Sequence, residues 1–149
     1  MDHVVYVDTK ARELEKLLAG EKTMIVRGAT GRKLPHGRVH PGDRLFFIQN
    51  KGDGMVRARA IVTTAFHSDK LTEGQSEDVL KNNQPKLSLT PEQMQRWAGK
   101  RYLVLIEVQD VHPLEPFVID RSAYGNMDDW LPVEDIETVK KVVMKAKTS

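Results

Sequence analysis

The chain has 149 residues, 40% of them hydrophobic and 30% charged, with a formal net charge of +2 and no cysteine. That length suits a single domain, residues 1–149, burying about two thirds of its unfolded surface. The missing cysteine excludes disulfides, thiolate chemistry and cysteine-based zinc sites, and no apolar run reaches the roughly 18 residues needed to span a bilayer.

His3 to Val7 is rich in valine and predicts a first strand, after which Asp8 or Thr9 is placed to cap a helix. That helix runs from Lys10 to Ala19 with Ala11, Leu14, Leu17 and Leu18 at helical spacing, and Gly20 stands where a left-handed terminating residue is favoured. Lys22 therefore lies near a helix carboxyl end, whose partial negative charge attracts an ammonium. Thr23 to Arg27 is rich in strand formers, and a period of two puts Ile25 and Arg27 on one face, Met24 and Val26 on the other. An arginine sharing a face with Ile25 is either a cation aimed into a cleft with an apolar wall or a surface residue at a strand end.

No helix or strand period survives from Gly28 to His40, a loop carrying Arg32, Lys33 and Arg38, and long loops in small domains tend to carry function. It lacks the Gly-Lys-Ser or Gly-Lys-Thr ending of a phosphate loop, which argues against a nucleoside triphosphatase. His40-Pro41-Gly42-Asp43 has the chemistry of a type II turn and launches a core strand, Arg44 to Gln49. Lys51 to Gly54 forms a hairpin turn, and Met55 to Phe66 follows as a long strand with Val56, Ala58, Ala60, Val62 and Thr64 on one face.

A short helix is expected over Ser76 to Lys81, with a break at Asn82 to Pro85. Thr90-Pro91-Glu92-Gln93 carries the cap, first-turn proline and capping-box glutamine of another helix, ended by Gly99, with Trp97 facing the core. Tyr102 to Val111 alternates Tyr102, Val104, Ile106 and Val108 against Leu103 and Leu105, as a central strand would. Prolines at 113 and 116 are expected to break it before a short strand from Phe117 to Ile119. Ser122 to Trp130 is rich in turn formers, and Tyr124 and Trp130, flanking Asn126, Asp128 and Asp129, make either a base-stacking pocket or a staple for a terminal helix from Val133 to Val143. Lys145 to Ser149 reads as a frayed tail.

Between Lys22 and Arg59 nine Lys or Arg stand against Asp43 and Asp53, so this segment holds seven excess positive charges within a chain of net +2. Such asymmetry suits a face for polyanions. His36 and His40 are four apart, but Gly37 and Pro41 forbid the helix that would align them, so no metal site and no cofactor are expected. Lys22, if desolvated beside other cations, has its charged form disfavoured and becomes a usable catalytic base or nucleophile, with Thr23 as the nearest hydroxyl and Glu73 or Glu77 as a partner. Met1-Asp2-His3 has none of the basic and apolar pattern of a signal peptide, and a cytoplasmic protein is the default expectation.

The pattern Gly20-x-Lys22-Thr23-x-x-x-Arg27, followed by the Pro41-Gly42-Asp43 turn, two hairpin strands and a late apolar strand, resembles the ASCH domains of the PUA-like superfamily. The order of elements supports this over nearly the whole chain. The resemblance implies an α+β fold, a small mixed β-barrel with peripheral helices, and a cleft in which Lys22 and Arg27 meet RNA or a modified nucleotide. The common motif has a glutamate where this chain has Ile25. A branch of bacterial amidohydrolases acting on N4-acetylcytidine looks similar through Gly-x-Lys-Thr-x-Thr-x-Arg, where Ile25 replaces the second threonine and removes the hydroxyl that chemistry uses. The expected function is thus binding of RNA or a modified nucleotide through Lys22, Thr23, Arg27, Arg32, Lys33, Arg38, Tyr124 and Trp130. Hydrolysis of an acylated nucleoside, with Lys22 as catalytic residue, and a protein-interaction module are the alternatives.

Overall fold

A computed structural model of the protein describes residues 1–125 and 129–141. Six strands form one sheet: β1 (Asp2–Val7), β2 (Met24–Ala29), β3 (Arg44–Gln49), β4 (Met55–His67), β5 (Tyr102–Val118) and β6 (Trp130–Glu134). Their order across the sheet is β2-β5-β4-β3-β1-β6, with β1 parallel to β3 and the other neighbours antiparallel. Irregularities in the β4–β5 pairing at Val56/Ala58, Arg59/Ile61 and Val62/Thr64 bend this longest pair, and the sheet curls into a half-barrel. The α+β architecture expected from the sequence is the one observed.

The concave face is filled by Val5, Ile25, Phe47, Ala60, Ile106 and their neighbours, with Trp130 among them and α1 (Glu13–Ala19) contributing Leu14 and Leu17. Alanines at 58 and 60 keep β4 close to what faces it. The alternation read in β2 and β5 holds: Ile25, Val104 and Ile106 point inward, while Met24, Val26, Leu103 and Leu105 point out to a second cluster under α2 (Glu73–Asn82), α3 (Gln84–Leu87) and α4 (Pro91–Trp97). A third cluster, with Phe46, Ile48, Leu131 and Ile136, covers the outer face of β1 and β3.

Several boundaries differ from expectation for identifiable reasons. The first helix begins at Glu13, because Asp8 through Arg12 form turns and Arg12 takes a left-handed φ of 56°. The predicted break over Asn82 to Pro85 contains the start of α3, with Pro85 in its first turn. Thr72 caps α2 with a capping box to Gln75, so that helix starts three residues before Ser76. β5 does not stop at His112; it runs through Pro113 and Pro116 to Val118. Its pairing with β2 ends at Glu107, so beyond that point one edge is open, and a proline there leaves no sheet partner unmatched.

The terminal helix expected over Val133 to Val143 is overturned. Val133 lies in β6, antiparallel to β1, and a 3-10 turn spans Ile136–Thr138; residues 142 and 143 lie outside the described residues, as does the expected tail from Lys145. β1 needs a second neighbour, and Trp130-Leu131-Pro132-Val133 supplies alternate side chains to both faces of the sheet. Among the described residues, no helix is long and apolar enough to cross a membrane.

Candidate functional site

Gly20, with φ of 77°, ends α1 and turns the chain so that the Glu21 and Lys22 amides return to the Lys16 carbonyl. The Lys22 side chain is thereby driven inward and is only 1% exposed. Its Nζ donates to the Leu87 carbonyl at 2.5 Å and lies 3.3 Å from Glu13 Oε2. Burial holds the Lys22 ammonium below its ordinary pKa, Glu13 opposes that shift, and the Arg27 and Lys16 cations reinforce it.

Glu13 is the partner that Lys22 finds, in place of the expected Glu73 or Glu77. It is 4% exposed; Oε1 accepts the Asp8 amide at 3.0 Å and Oε2 accepts from Gln93 Nε2 at 3.4 Å. A signal for it existed in the sequence, because Glu13 stands four residues before Leu17 on the apolar stripe of α1, where a carboxylate must be paired.

Arg27 is 7% exposed and bridges β2 to β1 across the open side of the half-barrel. Nη1 donates to its neighbour's carbonyl, Val26 O, at 2.8 Å, and Nη2 donates to Tyr6 O at 2.7 Å. The guanidinium lies 5.8 Å from the centre of the Trp130 ring. Its Nε is buried and 3.4 Å from Asp129 Oδ2, an ion pair too poorly aligned to be a hydrogen bond.

Around these groups lies a narrow cleft of about 30 Å³. Glu13, Arg27 and Asp129 line it together with Asp8, Asn50, Gln93, Arg96 and Trp97, which makes its walls rich in fixed donors and acceptors. A smaller hollow of about 10 Å³ lies against Arg27 from the loop side, between Gly31 to His36 and Tyr102. The two cations of the Gly20 to Arg27 stretch thus occupy one region, yet only Arg27 reaches the cleft; Lys22 sits behind Glu13.

The remaining expected residues divide. Arg32, Lys33 and Arg38 are exposed on the loop, with Arg32 5.5 Å over the Tyr102 ring. The loop is held by His36 Nε2 against Ser68 O at 2.8 Å, and by His67, whose Nδ1 accepts the Gly37 amide at 2.9 Å while Nε2 faces Val39 O. Thr23 borders a separate surface groove beside Leu18 and Val111. Arg44 and Arg57 are paired with Asp2 and Asp53, whereas Arg32, Lys33 and Arg38 on the loop, and Lys51 and Arg59 away from it, have no ion-pair partner among the described residues.

Tyr124 and Trp130 do not form a base-stacking pocket. Trp130 is 1% exposed in the interior cluster, and Tyr124 packs with the outer one. Trp130 Nε1 donates to His3 Nδ1 at 3.0 Å, so the His3 proton sits on Nε2 and is given to Asp43 Oδ2 at 2.8 Å. The indole is committed to this buried chain. Asn126 and Asp128, which the sequence placed beside it, lie outside the described residues.

No protein-family model matches the chain, and no curated protein matches it in sequence. Solved structures do. Two variants of an ASCH protein from Zymomonas mobilis superpose with a TM-score of 0.68 at 15% and 13% identity, covering 92% of this chain and 93% and 91% of theirs. ASCH from Zymomonas mobilis itself gives 0.64 at 14% identity, over 94% of this chain and 96% of that one. The fold of this chain is that of an ASCH domain.

Proposed function

We propose that the chain binds RNA or a modified nucleotide, with a base edge at the mouth of the cleft and phosphates along the Gly28 to His40 loop. The observation that supports this best is Arg27 Nε: a buried donor without a hydrogen-bond acceptor, beside a cleft that Asp8, Glu13, Gln93 and Asp129 also line. An unmet donor of this kind is relieved by a ligand acceptor. The Glu13, Asp8 and Asp129 carboxylates make the cleft unfavourable for a phosphate but suitable for the amino edge of a heterocycle, and Trp97 adds an aromatic wall. Phosphate fits the loop, where Arg32, Lys33 and Arg38 are exposed together.

Affinity for a short single-stranded RNA is expected to fall steeply with salt. Replacing Arg32, Lys33 and Arg38 together by Ala is expected to lower the log–log salt slope by about 2, since each phosphate contact to a single strand contributes roughly 0.7. Absent binding, or a salt slope unchanged in the triple variant, counts against the reading.

A second reading, hydrolysis of an acylated nucleoside, draws support from the buried Lys22–Glu13 pair. Glu13, facing the cleft, would then handle the proton, and Lys22 would set its charge from behind. Ile25, wholly buried in the barrel, provides no hydroxyl there. Turnover of an acetylated cytidine that vanishes in Glu13→Gln is the expected result; inertness of the native chain across acylated nucleosides counts against it.

A further inference from the structure

A second concavity, sharing no residue with the cleft, opens on the outer face of the sheet. It is a groove of about 240 Å³ bounded by β3, β4, the proline-containing half of β5 and the 3-10 turn. Its apolar surface comes from Phe46, Leu114, Phe117 and Ile136. Phe46 and Ile136 are buried core residues that form its floor, with Arg44 5.4 Å over the Phe46 ring, and the half-buried Leu114 and Phe117 form its accessible apolar wall.

The ionic groups around it are unequally satisfied. Arg44 is consumed by Asp2, Nε to Oδ1 and Nη2 to Oδ2 at 2.8 Å each. Lys140 lies 4.5 Å over the Phe117 ring and 3.4 Å from Glu137. Glu115 stands exposed in water at the rim. Arg59 is different. It sits directly across from Phe46 on β3 and beside His112 on β5, and no carboxylate among the described residues lies within ion-pair distance of it. Its Nε donates to His112 Nε2 at 2.9 Å. Because that nitrogen accepts, the His112 proton is on Nδ1, where it is given to the Asp110 carbonyl at 2.9 Å. Arg59 thus faces a neutral imidazole, and the rest of its guanidinium fork borders an apolar groove.

An unmatched guanidinium beside a preformed apolar wall is complementary to one anionic group on an apolar body. We propose that this groove binds a small carboxylate with an aromatic or aliphatic body, the carboxylate on Arg59 and the body against Phe46, Leu114 and Phe117. The reading is independent of the nucleotide cleft.

The full chain is titrated with naphthoate and, in parallel, with uncharged naphthalenemethanol, followed by protein NMR shifts. Saturable naphthoate binding is expected, with shifts centred on Phe46, Arg59 and Phe117, about tenfold tighter than the alcohol, the ratio one charge-assisted hydrogen bond implies. Arg59→Gln removes that preference. Leu114→Asp, which sets a like charge on the wall, weakens naphthoate far more than the alcohol, and it carries the test should Arg59→Gln fail to fold. No saturable binding of naphthoate, equal affinity for acid and alcohol in the native chain, or an acid preference that survives both substitutions overturns the proposal.

Discussion

At the residue scale the chain places its most costly charges where water is absent. The Lys22 ammonium and the Glu13 carboxylate are almost wholly buried, and each has further hydrogen-bond partners in Leu87 O, the Asp8 amide and Gln93. Such a pair contributes little net stability, because desolvation offsets the attraction, but removing one member strands the other. Lys22→Met is therefore expected to destabilise the chain by about 3 kcal/mol in urea denaturation, within the range for broken buried pairs. Lys22→Met combined with Glu13→Gln should cost clearly less than the two single changes together, since neither charge is then left alone. Strict additivity would show that the pair is not coupled.

Individual elements carry their own tests. α4 begins with a full capping box, Thr90 Oγ1 accepting from the Gln93 amide and the Gln93 side chain returning to the Thr90 amide. Thr90→Ala is expected to cost about 1 kcal/mol, measured as a lower denaturation midpoint with an unchanged slope. In β2, a Cβ added at Gly28 would come within 2.8 Å of Leu103 Cδ2 and 3.1 Å of Lys100 Cβ. Gly28→Ala must displace the Leu103 side chain and crowd Lys100, and a loss of roughly 1–3 kcal/mol is expected, the usual cost of overpacking. A Gly28→Ala protein as stable as the native one would mean that the Leu103 side chain yields freely.

For the molecule as a whole, β1 is fastened by a buried chain from Trp130 through His3 to Asp43, which ties β6 to the turn before β3. Burial holds the His3 pKa below 6.5, with Asp43 opposing the shift. A depressed value means the unfolded state takes up the proton more readily. The stability His3 contributes is therefore fully present above about pH 6.5 and is lost as pH falls through the folded-state value. The melting temperature should decline from pH 7 to pH 5, with no more than one proton's slope, about 1.4 kcal/mol per pH unit, assignable to this residue. His3→Gln should be less stable at pH 7 and flatter in pH; an unchanged slope would place the effect elsewhere. Asp2 acts in a lower window. Burial raises its pKa, but the Arg44 and Ile136 hydrogen bonds outweigh that and hold it below 3.8, so its contribution disappears only as pH falls below that value.

What the sequence determined by itself was whatever depends on neighbours along the chain. The inward side of β2, the Gly20 stop, the Thr90 cap and the faces of β5 follow from local periodicity and backbone preference, while the fold class came from the resemblance of the Gly20 to Arg27 pattern and the order of elements to ASCH domains. Glu13 as the partner of Lys22, β6 in place of a terminal helix, β5 continuing through two prolines, and Trp130 spent on His3 all depend on contacts between segments far apart in sequence. Tertiary structure alone decides these, because an unpaired strand edge or a buried charge is satisfied by whichever group the folded sheet brings within reach. Sequence spacing does not encode that distance.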